Sequence, residues 1–190
     1  INNEYDKNGA AMRSVPFGII PNVHVALDVA SLQASITHDT HAGLFSARAV
    51  ALMSHFAIHQ KNSFKDMADY MREYLPSEDV EKYHYVFCED WDGGPVKRRA
   101  DVPIAVTTVQ AVAHLLRHKP GYLSSMAELI KWKGDTDSVA AITWGILSPR
   151  VEDLSELPSF FYAGLEGGIQ ETGNDFLLRL GRSLSRKYLL

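Results

Sequence analysis

The sequence has only one cysteine, no long apolar run and no excess of positive charge. The single cysteine, Cys88, excludes an internal disulfide and is typical of a reducing compartment, so we expect a cytoplasmic location. No apolar run approaches the ~20 residues needed to span a bilayer, so no membrane partner is predicted. The net charge of −4, from 19 basic and 23 acidic residues, disfavours electrostatic binding to nucleic acid.

Alternating strand patterns are also absent, and apolar residues recur instead at helical spacing. This predicts an all-α fold, a compact orthogonal helical bundle, with residues 1–190 as a single domain. The segment 76–102 is charged and irregular, and within it residues 89–95 are predicted to be an acidic loop with a turn. Helices are predicted over 23–36, 41–61, 63–74, 102–119, 122–132, 139–147 with a first turn at 135–138, and 175–190.

Three of these helices carry informative apolar patterns. In 41–61 the residues recur on one face, which predicts core packing, and in 23–36 a second stripe has the same spacing. The helix over 139–147 is apolar on nearly every side, which predicts a position at the centre of the domain. The first stripe consists of Phe45, Ala49, Leu52, Met53 and Phe56, and the second of Val25, Val29, Leu32 and Ile36.

The stretch 133–138, Lys-Gly-Asp-Thr-Asp-Ser, places polar side chains on the first turn of that apolar helix. Asp135, Asp137 and Ser138 could supply three oxygen ligands to a hard cation such as Mg²⁺. The positive end of the helix dipole would favour both carboxylates in their ionised form. The alternative is that these side chains only cap the helix by accepting hydrogen bonds from its free N–H groups.

Three other stretches have both a structural and a functional interpretation. The Asn8-Gly9 pair followed by small residues is either a connecting turn or a loop that presents N–H groups to a phosphate or a ribose. His38, at the end of the 23–36 helix, is either a capping residue or a ligand contact. The acidic loop 89–95 could bind a cation, although solvated acids are common in loops, and Trp91 could face a substrate or pin the loop.

Taken together, separated stretches resemble the ADP-ribosylglycohydrolase family. The residues Asn8-Gly9-Ala10-Ala11-Met12-Arg13, followed by Pro16, resemble the Asn-Gly loop of that family. Thr37-His38 resembles its Thr-His segment, and Gly134-Asp135-Thr136-Asp137-Ser138 resembles its metal-binding motif. Trp91-x-Gly93-x-x-Val96, followed by residues 106–116, is similar to its bacterial branch. The resemblance covers most of residues 5–150.

The resemblance implies an all-α hydrolase with two Mg²⁺ ions that cleaves ADP-ribose from a protein side chain or a small acceptor. It implies that Asp135, Asp137 and Ser138 are metal ligands, and that Arg13 braces the Asn-Gly loop. The substrate-binding residues that it implies are Asn8, Gly9, Ala10, Met12 and His38. The expected partner is therefore an ADP-ribosylated protein or a small ADP-ribose derivative.

The sequence departs from the family pattern in two respects. Lys133 and Lys7 occupy positions where the family commonly has glycine. In the family, the other metal ligands are a Thr/Ser-Asp-Asp cluster that lies upstream of the Asn-Gly loop. We therefore expect the chain to match the C-terminal two-thirds of the family. The catalytic residues are expected in the upstream segment or on a partner chain. The alternatives are a non-catalytic relative that binds ADP-ribose or a protein, and a purely structural helical domain.

Overall fold

The computed structural model describes residues 4–150, 157 and 173–189. These residues fall into two compact units, Ile1–Arg150 and Val151–Leu190, which are described separately here. The described residues form α-helices and short 3-10 helices without a β-sheet, which confirms the all-α prediction. That the chain is a single domain stays a prediction. The helices are α1 (Gly9–Ser14), α2 (Val23–Ser35), α3 (His41–His59), α4 (Met67–Tyr74), α5 (Ser77–Tyr83), α6 (Tyr85–Cys88), α7 (Ile104–His118), α8 (Tyr122–Leu129), α9 (Thr136–Leu147) and α10 (Gly173–Tyr188).

The first part of the irregular segment 76–102 contains α5 and α6, for which the sequence pattern gave no helix prediction. Pro76 precedes α5, and Glu78 and Asp79 lie in its first turn, where acidic side chains interact favourably with the helix dipole. Both helices are too short to establish an apolar period along the sequence. Tertiary contacts stabilise them instead, since Val86 and Phe87 are fully buried.

Helix α3 is the centre of the first unit. It packs against α1, α2, α4, α7 and α9, and fifteen of its 19 residues are buried. The predicted core residues Phe45, Met53 and Phe56 all lie in this interior. Helix α9 packs on α3 and α7, but Ala141 on its outer face is exposed. The central position predicted for the helix over 139–147 therefore belongs to α3.

Helix α2 forms where it was predicted, but most of the apolar stripe predicted for it faces solvent. Val25, Leu32 and Ile36 are 44%, 68% and 66% exposed. The face turned inwards is lined by Leu27 and by small residues, Ala26, Ala30 and Ala34. Small side chains at a helix contact permit a short distance between helix axes, so α2 lies closely against α3.

Arg150 closes the first unit by capping the C-terminus of α3. Its guanidinium donates hydrogen bonds to the carbonyl oxygens of Phe56, Ala57 and Gln60 at 3.0, 2.9 and 2.7 Å. It also lies 4.3 Å from the ring centroid of Phe64. The last carbonyls of a helix have no partner within it, and a cation there also interacts favourably with the helix dipole.

In the second unit, α10 has apolar and basic residues on the same amphipathic helix. Phe176 and Leu180 are each about half exposed, and Arg186 and Lys187 lie in its last turn. This matches the helix predicted over 175–190 within two residues at each end. Among the residues that the structure describes, no helix is long and apolar enough to cross a membrane.

Candidate functional site

The loop before α9 is held in an unusual backbone conformation. Lys133 and Gly134 both have positive φ angles, of 63° and 79°. The Val96 N–H donates to the Lys133 carbonyl at 3.0 Å, and the Asp135 N–H donates to the Val96 carbonyl at 2.8 Å. A Cβ atom at residue 134 would overlap the Val96 carbonyl oxygen and lie 2.8 Å from its backbone nitrogen. Glycine is therefore required at 134, and its pairing with Val96 fixes the position of Asp135.

Asp135 lies at the N-cap position of α9, but its side chain does not cap the helix. Its Oδ2 atom accepts a hydrogen bond from Nδ2 of Asn8, and its Oδ1 atom accepts one from Oγ of Ser138 at 3.0 Å. Ordinary caps in this chain look different, since the Thr40 side chain accepts from the Gly43 N–H at 3.0 Å. The capping interpretation therefore does not account for the Asp135 carboxylate.

Asn8 joins three helices at this point. It lies at the N-cap position of α1, and its amide nitrogen also donates to Oγ1 of Thr108 on α7 at 3.0 Å. Its contact with Asp135 connects residues 127 positions apart in the sequence. The Asn8 amide is thus fixed from two sides, and it orients one oxygen of Asp135. Sequence reasoning missed Thr108, whose position on the buried face of a helix gave no functional signal.

His38 lies against the start of α1. A Cβ atom at Gly9 would be only 3.2 Å from Cε1 of His38, so glycine lets the imidazole contact the loop backbone. Nδ1 of His38 is 2.8 Å from Oγ1 of Thr37, which accepts a hydrogen bond from Arg13 at 2.6 Å. Arg13 also donates to Gln33 at 3.0 Å, so it braces α1 against the end of α2.

The electrostatics of the site favour a neutral histidine beside unpaired carboxylates. Burial lowers the pKa of His38, and the positive charges of Arg13 and Lys7 lower it further. Among the described residues no salt bridge involves Asp135 or Asp137. The two carboxylates lie at the positive end of α9, where negative charge interacts favourably with the helix dipole. Uncompensated negative charge of this kind attracts a cation.

The other predicted site residues are placed as follows. Asp137 is exposed on the first turn of α9, and Ser138 is 7% exposed. Met12 is 40% exposed on α1. Ala10 is fully buried and packs with Ala34 and Ala47. Asn8, Asp135 and Ser138 are thus brought together, with Gly9 and His38 adjacent to Asn8, whereas the burial of the Ala10 side chain favours a packing role.

The acidic loop 89–95 is held in place by the side chains of Arg99 and Trp91. Trp91 is 5% exposed, its indole N–H donates to the Gly94 carbonyl at 3.1 Å, and the Arg99 guanidinium lies 3.9 Å from its ring centroid. Asp92 accepts two hydrogen bonds from Arg99, at 2.8 and 2.9 Å. Trp91 therefore pins the loop, and Asp92 is part of that structure.

The side chains at the start of α9 offer the types of ligand atom that a hard divalent cation binds. Two carboxylates and one hydroxyl are the oxygen donors that Mg²⁺ prefers. Asp135 and Asp137 do not belong to a cluster of three or more His, Cys, Asp or Glu side chains among the described residues. Three oxygens leave room for water or substrate in an octahedral shell. The fold and this site together define an all-α protein with a candidate oxygen-ligand metal centre.

The family model of the ADP-ribosylglycohydrolases matches residues 2–186 of the chain. The chain belongs to the ADP-ribosylglycohydrolase family. The match extends beyond residues 5–150, where the individual motifs were recognised. A comparison with curated proteins gave no match. Membership of this family supports a hydrolase of the ADP-ribosylglycohydrolase type, and the family is generally metal-dependent.

Proposed function

We propose that this chain is a Mg²⁺-dependent hydrolase that removes ADP-ribose from a protein side chain or a small acceptor by cleaving an N- or O-glycosidic bond. The partner is an ADP-ribosylated protein or a small ADP-ribose derivative, and the location is the cytoplasm. The observation that carries the proposal is the convergence of two separate motifs, since Asn8 of the Asn-Gly loop and Ser138 of the 134–138 motif both donate to Asp135. A helix cap would need only one of them.

In this proposal Asp135, Asp137 and Ser138 hold Mg²⁺, and two ions complete the site. Cleavage at the anomeric carbon of ribose develops positive charge on the sugar, and bound metal ions orient ribose hydroxyls and an attacking water. The Asn8 amide keeps Oδ2 of Asp135 in a fixed direction. Preorganisation of this kind lowers the cost of assembling the site when a ligand binds.

The Asn8–Gly9 loop and His38 form the substrate side of the proposed site. The charges of Lys7 and Arg13 act on the imidazole of His38, so a diphosphate bound there would find positive charge nearby. The lowered pKa leaves His38 neutral at pH 7, able to donate one hydrogen bond and accept another. Met12, partly exposed on α1, can contact the ligand from the same loop.

The test measures Mg²⁺ binding by the chain, and ADP-ribose release in the presence of the segment that the resemblance places upstream of the Asn-Gly loop. We expect Mg²⁺ to raise the melting temperature and, with that segment restored, to support release of ADP-ribose from an ADP-ribosylated protein. Asp135→Asn and Asp137→Asn should abolish both effects, since each removes a negative ligand. Asp28→Asn changes an exposed carboxylate on α2 and serves as the control. Equal release in EDTA, or wild-type Mg²⁺ binding by Asp135→Asn, would contradict the proposal.

A second candidate function is binding of ADP-ribose without turnover. It is favoured by the small number of acidic side chains around Asp135 in the described part of the chain. Calorimetry with ADP-ribose distinguishes the two functions. Binding that persists in EDTA, with no release from a modified protein at any Mg²⁺ concentration, would identify the chain as a binding module.

A further inference from the structure

A second cluster of possible metal ligands lies where the acidic loop meets the C-terminal end of α7, and it shares no residue with the site on α9. His114 and His118 are four residues apart on α7, so they share one face, and their ring centroids are 4.6 Å apart. Oδ1 of Asp90 is 2.7 Å from Nε2 of His118 and 3.5 Å from Nδ1 of His114. The three ligand atoms all lie within 4.8 Å of one another.

We propose that Asp90, His114 and His118 form a binding site for a divalent transition-metal ion of the Zn²⁺ class, separate from the oxygen-ligand site on α9. Two imidazoles and one carboxylate are typical zinc ligands, and three protein ligands leave one position open for water. Mg²⁺ prefers oxygen ligands throughout, so the two sites select different metals.

The distances are close to those of a bound ion. Ligand atoms 2.0–2.1 Å from a tetrahedral ion lie roughly 3.3 Å from one another. The Asp90–His114 separation of 3.5 Å already matches this value. The Asp90–His118 pair is now a hydrogen bond of 2.7 Å, and when an ion takes its place the neutral ring of His118 carries its proton on Nδ1 instead of Nε2.

The surrounding residues hold the ligands in place before any ion binds. The backbone N–H of Trp91 donates to Nδ1 of His114 at 3.2 Å, which turns this ring nitrogen towards the loop, and a bound ion would take the place of that hydrogen bond. Arg117 donates to the carbonyl oxygens of Cys88 and Glu89 at 2.7 and 2.6 Å, and lies 3.4 Å from Oδ1 of Asp90. Donors beside a metal-binding carboxylate commonly orient it.

The three ligands differ in their access to solvent. His118 is 43% exposed and Asp90 is 63% exposed as side chains, so an ion can reach them from solvent. His114, at 16%, forms the inner wall of the site.

The test is a Co²⁺ titration of the full chain in excess Mg²⁺, followed by visible absorption and by tryptophan fluorescence. The ring of Trp132 is 5.7 Å from that of His114 and 6.0 Å from that of Trp91, so Co²⁺ bound here should quench their emission. We expect one Co²⁺ per chain, displaced by Zn²⁺. His118→Gln and Asp90→Asn should each weaken binding by at least about tenfold.

His59→Gln is the matched control. His55 and His59 are also four residues apart on one helix, with ring centroids 4.3 Å apart, but their Nε2 atoms contact the carbonyls of Pro21 and Gly18. This variant should bind Co²⁺ as the wild type does. Circular dichroism checks that the variants fold. Asp90→Asn changes a largely exposed side chain, so it can replace His118→Gln if that variant does not fold. Binding unaffected by either change, or lost instead in Asp137→Asn, would overturn the proposal without bearing on the Mg²⁺ site.

Discussion

Two aspartates near helix N-termini, Asp79 and Asp135, have very different surroundings. Asp79 on α5 is fully buried and accepts two hydrogen bonds from Arg48, at 2.8 and 2.9 Å, with His41 3.4 Å away. Asp135 is partly exposed and accepts hydrogen bonds only from neutral donors, Asn8 and Ser138. The Arg48 guanidinium compensates the charge of Asp79, whereas the neutral donors orient Asp135 without compensating its charge.

This difference separates a structural acid from a candidate ligand. A buried carboxylate requires a permanent counter-charge, because an uncompensated charge in the interior is very costly. Neutral donors fix the direction of a carboxylate without reducing its attraction for an incoming cation. Substitutions around Asp79 should therefore act on stability, and those around Asp135 on metal binding.

The largest effect on stability should come from Arg48→Met. The change leaves the buried Asp79 without its bidentate partner, and breaking a buried ion pair costs about 3 to 5 kcal/mol. Urea unfolding measures the loss. Arg98→Met is the control, because its pair with Asp6 is exposed and should contribute less than about 1 kcal/mol. Equal losses in the two variants would remove the distinction between buried and exposed pairs in this chain.

Gly134→Ala should have the next largest effect on stability, and it should also weaken Mg²⁺ binding. The added methyl group overlaps the Val96 carbonyl, so the loop must shift, at a cost of about 2 to 3 kcal/mol. Because Asp135 follows directly, the Mg²⁺-dependent rise in melting temperature should also be lost.

Gly93→Ala is the matched control for Gly134→Ala. Gly93 has nearly the same φ angle, 76°, but the nearest atom to an added Cβ, Nε1 of Trp132, is 4.0 Å away. Only backbone strain of about 1 kcal/mol is expected there, with Mg²⁺ binding retained. If the two alanine variants unfold at the same urea concentration, steric overlap with Val96 does not fix the loop.

A more gradual effect is expected from pH. The pKa of His38 is lowered chiefly by burial, so between its folded-state pKa and the ordinary value of 6.5 the unfolded chain binds more protons than the folded one. This contribution to stability is present above pH 6.5 and is lost as the pH falls through the folded-state pKa. His38→Gln should therefore reduce the slope of unfolding free energy against pH below 6.5. An unchanged slope would show that His38 is not linked to folding.

The smallest effect should come from Lys133→Gly, which we expect to increase the stability of the chain. Lys133 has a φ angle of 63°, which L-residues other than glycine adopt at a cost. Glycine should stabilise the chain by about 0.5 to 1 kcal/mol after its greater freedom in the unfolded state is taken into account. Removal of a positive charge two residues before Asp135 should also tighten Mg²⁺ binding. A loss of stability would mean that Lys133 makes a contact that outweighs its backbone strain.

The positions of the helices in the sequence were predicted better than which face of each helix is buried. The α3 stripe was predicted correctly because large apolar residues lie on the face that is buried. In α2 the large residues lie outside, since alanines on the other face allow close packing, and periodicity cannot distinguish the two faces. The short helices α5 and α6 depend on tertiary contacts, so local pattern missed them.

The site was predicted only in part, for a similar reason. The Gly134–Ser138 motif was visible locally, but whether Asp135 caps its helix or faces Asn8 depends on a contact between distant residues. The resemblance linked the motifs without giving that geometry. The pairing of His114 and His118 was not predicted as a metal site, because the third ligand, Asp90, approaches them only in the folded loop.

The hydrogen bond between Asn8 and Asp135 also has a consequence for the order in which the protein forms. It closes a loop of 127 residues, so its entropy cost can be recovered only after the intervening helices have packed. During synthesis the first half of the site leaves the ribosome long before the second. Until α9 is made, the start of α1 has no Asp135 to bind, and the site is completed late in folding.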